Sequence, residues 1–188
     1  MATLFVDKID PQSGTSLEIG SSGDTITVPT GATLTVPNGG LSGANNPFLF
    51  ADRTGSDQTV SDGVFTKVQL DTAIFDSEGS FDNTTNYRWT PQTAGKYFIT
   101  GAIRVSVQPT TLERIFVSIY KNGSFVDYGV LDLRESYGRD SSAVVSVMVE
   151  LNGSTDYIEL FGSLYIQGSS TCAFAQNGTY MIGYRIGS

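Results

Sequence analysis

The strongest constraint in this sequence is an alternation with a period of two that recurs from residue 97 to the C-terminus. Tyr97, Ile99, Gly101, Ile103, Val105 and Val107 fall on one side of an extended chain, and Thr100, Arg104 and Ser106 on the other. Ile115, Val117 and Ile119 repeat the pattern, as do Ala143, Val145, Val147, Val149 and Leu151, and then Ile158, Leu160, Gly162, Leu164 and Ile166. A last run is Tyr180, Ile182, Tyr184 and Ile186. No window shows the capped helical periodicity that crossovers in a parallel sheet require. Residues 47–188 are therefore expected to form an all-β, antiparallel head, a two-sheet jelly-roll sandwich being the first choice. Asn122-Gly123, Asn152-Gly153 and Asn177-Gly178 lie between such runs, and each is expected to turn a hairpin, because a type I′ turn needs two residues at positive φ.

Residues 1–46 have another texture. Gly, Ser, Thr, Pro and Asn dominate, and one eight-residue unit, Ile26-Thr27-Val28-Pro29-Thr30-Gly31-Ala32-Thr33, is followed by a similar one, Leu34-Thr35-Val36-Pro37-Asn38-Gly39-Gly40-Leu41. Each unit reads as a three-residue strand and a turn, stopped by a proline that has no ladder donor. One copy buries too little to be stable alone. Either three copies wind into a short β-stalk or extended arm through Ile26, Val28, Leu34 and Val36, or the segment is a flexible linker.

Composition removes several function classes. Histidine is absent, which excludes triads built on histidine and the usual zinc and two-histidine iron sites. A single cysteine, Cys172, allows no intramolecular disulfide and reads as a small core or turn residue. The net charge of −8 argues against nucleic acid and anionic membranes as partners. The first residues, Met1 to Lys8, lack the basic and apolar regions of an export signal, so synthesis in a cytoplasm is expected.

Asp71, Asp76, Glu78 and Asp82 lie close together, as glycan-cleaving carboxylates do, but no run of aromatic residues beside them suggests a substrate groove. Asp76, Glu78, Asp82, Asn83 and Asn86 carry oxygens suited to Ca²⁺, although their spacing is not that of an EF-hand, and a solvated loop is expected. Tyr87 and Trp89 should share one side of a strand, as a core anchor before a sugar platform. No catalytic residue, cofactor or metal is expected. Phe116, Tyr120, Tyr157, Phe161 and Tyr165 occupy the strand faces that meet water in a lone sandwich. They are candidates for a subunit interface, the alternative being cover by loops of the same chain.

The stretch from Val64-Phe65-Thr66-Lys67-Val68 through Phe75-Asp76-Ser77-Glu78-Gly79-Ser80-Phe81-Asp82 to Asn86-Tyr87-Arg88-Trp89-Thr90-Pro91 and Ala94-Gly95-Lys96-Tyr97-Phe98 resembles the globular head shared by the complement recognition subcomponent and the tumour necrosis factor superfamily. Tyr120-Lys121-Asn122-Gly123, the run Val149 to Leu160, and Met181-Ile182-Gly183-Tyr184-Arg185-Ile186 extend the resemblance over residues 46–186. It implies a trimeric jelly roll. Together with the N-terminal Leu17-Glu18-Ile19-Gly20-Ser21-Ser22-Gly23-Asp24-Thr25-Ile26-Thr27-Val28-Pro29, the head is similar to virion proteins of tailed phages. That resemblance implies a non-enzymatic homotrimer decorating or cementing the capsid, held to the major capsid protein or another virion protein by the arm of residues 1–46. The alternative is a tail- or head-fibre adhesin that binds a host surface glycan or protein.

Overall fold

The computed structural model describes residues 9, 19, 21, 24–33, 47–106, 112–134, 140–168 and 172–187. The chain divides into two units, residues 1–44 and 45–188. In the first, Ala32 N–H donates to the Pro29 carbonyl across a turn that holds Gly31 at φ 88°, so the turn of the repeat forms as expected. Residues 26–28 form no strand, and Ile26 and Val28 are 67% and 44% exposed. Leu34 and Val36 lie outside the described residues.

In the second unit the described residues form thirteen strands and no helix: β1 (Phe48–Asp52), β2 (Gln58–Val60), β3 (Thr66–Lys67), β4 (Thr72–Asp76), β5 (Phe81–Asp82), β6 (Arg88–Trp89), β7 (Ala94–Ser106), β8 (Leu112–Lys121), β9 (Ser124–Asp132), β10 (Asp140–Asn152), β11 (Ile158–Ile166), β12 (Cys172–Phe174) and β13 (Tyr180–Gly187). Every pairing is antiparallel. Sheet A runs β10-β7-β13-β1-β4, with β12 and β2 beside the far end of β7. Sheet B runs β5-β6-β11-β8-β9, with β3 on β11.

The inner faces are the alternating sets. Tyr97, Ile99, Ile103 and Val105 of β7 and Ala143, Val145 and Val147 of β10 meet Ile115, Val117 and Ile119 of β8 and Ile158, Leu160 and Leu164 of β11 in one core, anchored by the fully buried Trp89. Val107 lies outside the described residues. Trp89 is a core anchor, as expected, and its indole N–H donates to Ser80 Oγ at 3.0 Å. Tyr87 has φ 50° and precedes the strand, so strand alternation does not put it beside Trp89. Cys172 is buried, and its thiol, pushed up in pKa by that burial, donates to the Val60 carbonyl.

The C-terminal run departs from expectation. On β13 the inward residues are Met181 and Gly183, and Tyr180, Ile182, Tyr184 and Ile186 point outward. A Cβ on Gly183 would stand 2.3 Å from Trp89 Cζ3, so the indole occupies the space an inward side chain needs. Only one of the three Asn-Gly pairs makes a hairpin. Asn122 and Gly123, at φ 53° and 73°, join β8 to β9 with Lys121 paired to Ser124. Asn152-Gly153 instead lies where the chain crosses from sheet A to sheet B, since β10 pairs with β7 and β11 with β8. There Asn152 Oδ1 accepts from the amides of Ser154, Thr155 and Asp156, a side-chain-made turn. Asn177-Gly178 links β12 and β13, which both pair with β7 and not with each other.

One edge of the sandwich is sealed. A Cβ on Gly129 of β9 would stand 2.0 Å from the Val144 carbonyl oxygen of β10, an approach only glycine permits.

Candidate functional site

The carboxylates of the β4–β6 region organise backbone. Asp76 accepts from the amide of Phe81 at 2.8 Å, Asp71 from those of Thr54 and Gly55, and Glu78 from that of Gln92 and the hydroxyl of Thr93. Asp82 accepts from the amides of Thr85 and Thr84 and from Asn86, and these bonds hold its carboxyl well below the usual range. Among the described residues, no group of three or more acidic or cysteine side chains is set to hold a metal ion. Asp76, Glu78 and Asp82 fix the segments on either side of Arg88 and Trp89, and Asp71 pins the Thr54–Gly55 loop.

The unusual chemistry lies on the two outer faces. On sheet B, Phe116 and Tyr120 project from β8 and Phe161 and Tyr165 from β11, the outward placement the alternation predicts. All four are half-buried because they lean on one another: Tyr120 and Phe161 have centroids 4.3 Å apart, and Phe116 and Tyr165 5.7 Å. Between them on the same strands sit Ser118 and Ser163, fully buried, with hydroxyls that meet no hydrogen-bond partner. The serines are small enough for the rings to close over them.

Three cations lie over the outer rings. Lys67 Nζ stands 5.8 Å from the Phe161 centroid, the Arg88 guanidinium 4.3 Å from that of Tyr157, and the Arg114 guanidinium 5.0 Å from that of Tyr165. Lys67 also forms an ion pair with Glu159, whose side chain is only 5% exposed. Alternation found Phe116, Tyr120, Tyr157, Phe161 and Tyr165 but missed Phe65, Phe125 and Tyr128. Phe65 precedes β3 in a loop, and a register shift opposite Ile119 and Tyr120 separates Phe125 from the rest of β9. These three enclose Phe116 and Tyr120 in an aromatic groove of about 310 Å³.

On sheet A the outward residues form a row across the strands. Met148 pairs with Phe98, Phe98 with Tyr184 and Tyr184 with Phe48, and the Phe48 ring touches Phe75 of β4 at 6.5 Å. Met148 is 72%, Phe75 58%, and Phe48 and Tyr184 each 46% exposed. With adjacent strands about 4.8 Å apart, the row is roughly 19 Å long.

The sandwich is a jelly roll of the kind shared by tumour necrosis factors and complement C1q heads. Solved structures of that kind align along most of their lengths: Eiger TNF from S. frugiperda at 10% identity and a TM-score of 0.54 (76% of this chain, 94% of that one), the globular domain of zebrafish complement 1qA at 12% and 0.52 (74% and 97%), and murine APRIL at 11% and 0.51 (76% and 100%). No protein-family model and no curated protein matches the sequence. At these identities the likeness is one of fold.

Proposed function

We propose that this protein is a non-enzymatic homotrimer displayed on the particle of a tailed phage, with residues 1–46 as the attachment arm and the jelly roll as the displayed head. The observation that carries the trimer is the row on sheet A: Met148, Tyr184, Phe48 and Phe75 form one connected apolar strip that no part of the described chain covers. The particle assignment rests on the sequence resemblance of the arm and head to phage virion proteins. Ile26 and Val28 leave their apolar groups to solvent, as an arm that waits for a partner does.

In a closed three-fold ring, each subunit sees its two neighbours about 60° apart, so its two contact patches cannot be opposite faces of one sandwich. Only one outer face serves as the main contact. Sheet A carries the most exposed large apolar side chain of either face, Met148 at 72%, and so is taken as that contact. Phe116, Tyr120, Tyr157, Phe161 and Tyr165 on sheet B are the other candidate contact, favoured by their density of aromatic side chains.

Native mass measurement separates the two. The wild type is expected at the mass of three chains, Met148→Glu at that of one, and Phe161→Glu at that of three. The reverse result for the two variants moves the contact to sheet B, and a monomeric wild type ends the proposal. Immunogold labelling of virions tests the display. Label over the head supports decoration, label confined to the tail supports the adhesin reading, and unlabelled particles refute both. Deleting residues 1–46 should leave assembled particles unlabelled.

A further inference from the structure

Four Asn-Gly pairs occur in the chain. Asn122-Gly123, Asn152-Gly153 and Asn177-Gly178 lie in the head, and Asn38-Gly39 lies outside the described residues. A glycine carries no side chain to obstruct its own amide nitrogen, so an asparagine before it is open to attack by the backbone. We propose that the head sets Asn177 apart as a self-modification site, which loses ammonia to its own backbone and becomes aspartate or isoaspartate, while the same fold protects Asn122 and Asn152. Neither a second subunit nor a particle is needed for it.

In this reaction the Gly178 nitrogen gives up its proton to water and bonds to Asn177 Cγ. The Cγ–Nδ2 bond breaks, and the amide leaves as ammonia after taking up a proton. The resulting five-membered succinimide is then opened by water. Attack at Cγ gives aspartate, and attack at the main-chain carbonyl carbon gives isoaspartate, in which the chain runs through the side chain. Nothing is oxidised or reduced, and water is the one reagent. A reactive pair therefore needs a side-chain amide free to turn toward the next nitrogen, and a peptide nitrogen that releases its proton.

All three asparagines are exposed, so access to water does not separate them. Their side-chain amides do. Asn122 Nδ2 donates to Asp156 Oδ1 at 2.7 Å, and its Oδ1 accepts from the Tyr157 amide at 2.9 Å. Asn152 Oδ1 accepts from the amides of Ser154, Thr155 and Asp156, and its Nδ2 donates to Thr155 Oγ1 at 2.8 Å. Gly153 is wedged as well, since a Cβ there would stand 2.2 Å from the Ala94 nitrogen. The Asn177 side chain meets no hydrogen-bond partner among the described residues.

The second requirement is met by Arg104. Its Nη1 donates to the Asn177 carbonyl at 3.1 Å, and that oxygen and the Gly178 nitrogen belong to one peptide group. When the nitrogen loses its proton, the negative charge is shared with this oxygen, where the guanidinium stabilises it. Asp140 accepts from Arg104 Nε at 2.9 Å and from Nη2, which holds the guanidinium in place. Isoaspartate lengthens the backbone of a link tied at both ends to Arg53, whose carbonyl accepts from the Asn177 amide and whose amide donates to the Thr179 carbonyl.

The test holds the full-length protein in mildly alkaline buffer for weeks, folded and, in parallel, in denaturant. Digestion in acid, which stops the reaction, and mass spectrometry then score each Asn-Gly peptide for asparagine, aspartate and isoaspartate. In the folded protein Asn177 should convert at least about tenfold faster than Asn122 or Asn152, whose side chains must first break two or more hydrogen bonds. In denaturant the three should convert at similar rates. Arg104→Gln should slow Asn177 about threefold, and Arg104→Lys, which keeps the charge, should retain most of the rate, a difference that a loosened loop does not produce. Asn177 unconverted in the folded protein, Asn122 or Asn152 keeping pace with it, or conversion in Arg104→Gln as fast as in the wild type overturns the proposal. If the Arg104 variants do not fold, the comparison within the wild type decides.

Discussion

On sheet A, Met148, Phe98, Tyr184 and Phe48 stand in line across four strands with their flanks in solvent, whereas on sheet B, Phe116, Tyr120, Phe161 and Tyr165 fold against one another under a cover of cations. Both faces are made of outward apolar residues on antiparallel strands. Rings meet on both, Phe98 and Tyr184 on sheet A having centroids 5.6 Å apart. What separates the faces is the residue between the rings on sheet B, where the small, buried Ser118 and Ser163 let Phe116, Tyr120, Phe161 and Tyr165 lie over them.

The contrast can be broken most severely at Lys67. If sheet B is a face already satisfied within one chain, Lys67→Ala strands Glu159 as a buried charge. A loss of about 2 kcal/mol is expected, below the range for a fully enclosed pair because Lys67 is a third exposed. Denaturant titration should be run on a Met148→Glu background, so that assembly does not enter the result. On that background, Phe75→Ser on sheet A should change stability by no more than about 0.5 kcal/mol. Equal losses at the two sites would erase the distinction between the faces.

Smaller and opposite in sign is Ser118→Ala. Its hydroxyl is buried without a partner, so its removal should raise stability by up to about 1 kcal/mol, and a drop would reveal a hydrogen bond to that oxygen. The smallest effect concerns the turn that carries Arg88 to sheet B. The folded carboxyl of Asp82 titrates below its unfolded value of about 3.9, so its contribution is complete above that pH and fades as pH falls through the folded value. The difference in Tm between wild type and Asp82→Asn should therefore narrow below about pH 4, and a constant difference would deny Asp82 this role.

The inner faces were legible because each strand reports its own alternation: Tyr97 to Val105, Ala143 to Leu151 and Ile158 to Ile166 needed no knowledge of their neighbours. β13 was not, because alternation tells which residues share a side but not which side is inside. The bulk of Trp89, more than ninety positions away along the chain, forces Gly183 inward and Tyr184 out. The same non-locality hid the sheet A row, whose members come one each from β1, β4, β7, β10 and β13 and become neighbours only through register. On sheet B the strand-borne rings were visible, and the groove was not, since Phe65 lies in a loop and Phe125 beyond a register shift. The Asn-Gly pairs carried the turn chemistry without its destination, which depends on the sheet the next strand joins.

The seam at Gly129 has a further consequence. With β9 pressed against β10, the sandwich presents no free border on that flank, and the strands open to another chain's backbone lie on the opposite side, where β4 has β1 as its one neighbour in the sheet. There Ile74 and Phe75 are exposed side by side. Many copies crowded onto one surface would therefore have a single direction in which to join edge to edge. A bulky residue at position 129 would prise the sealed flank apart and create a second, and two sticky borders are what turn a set of separate heads into a continuous sheet.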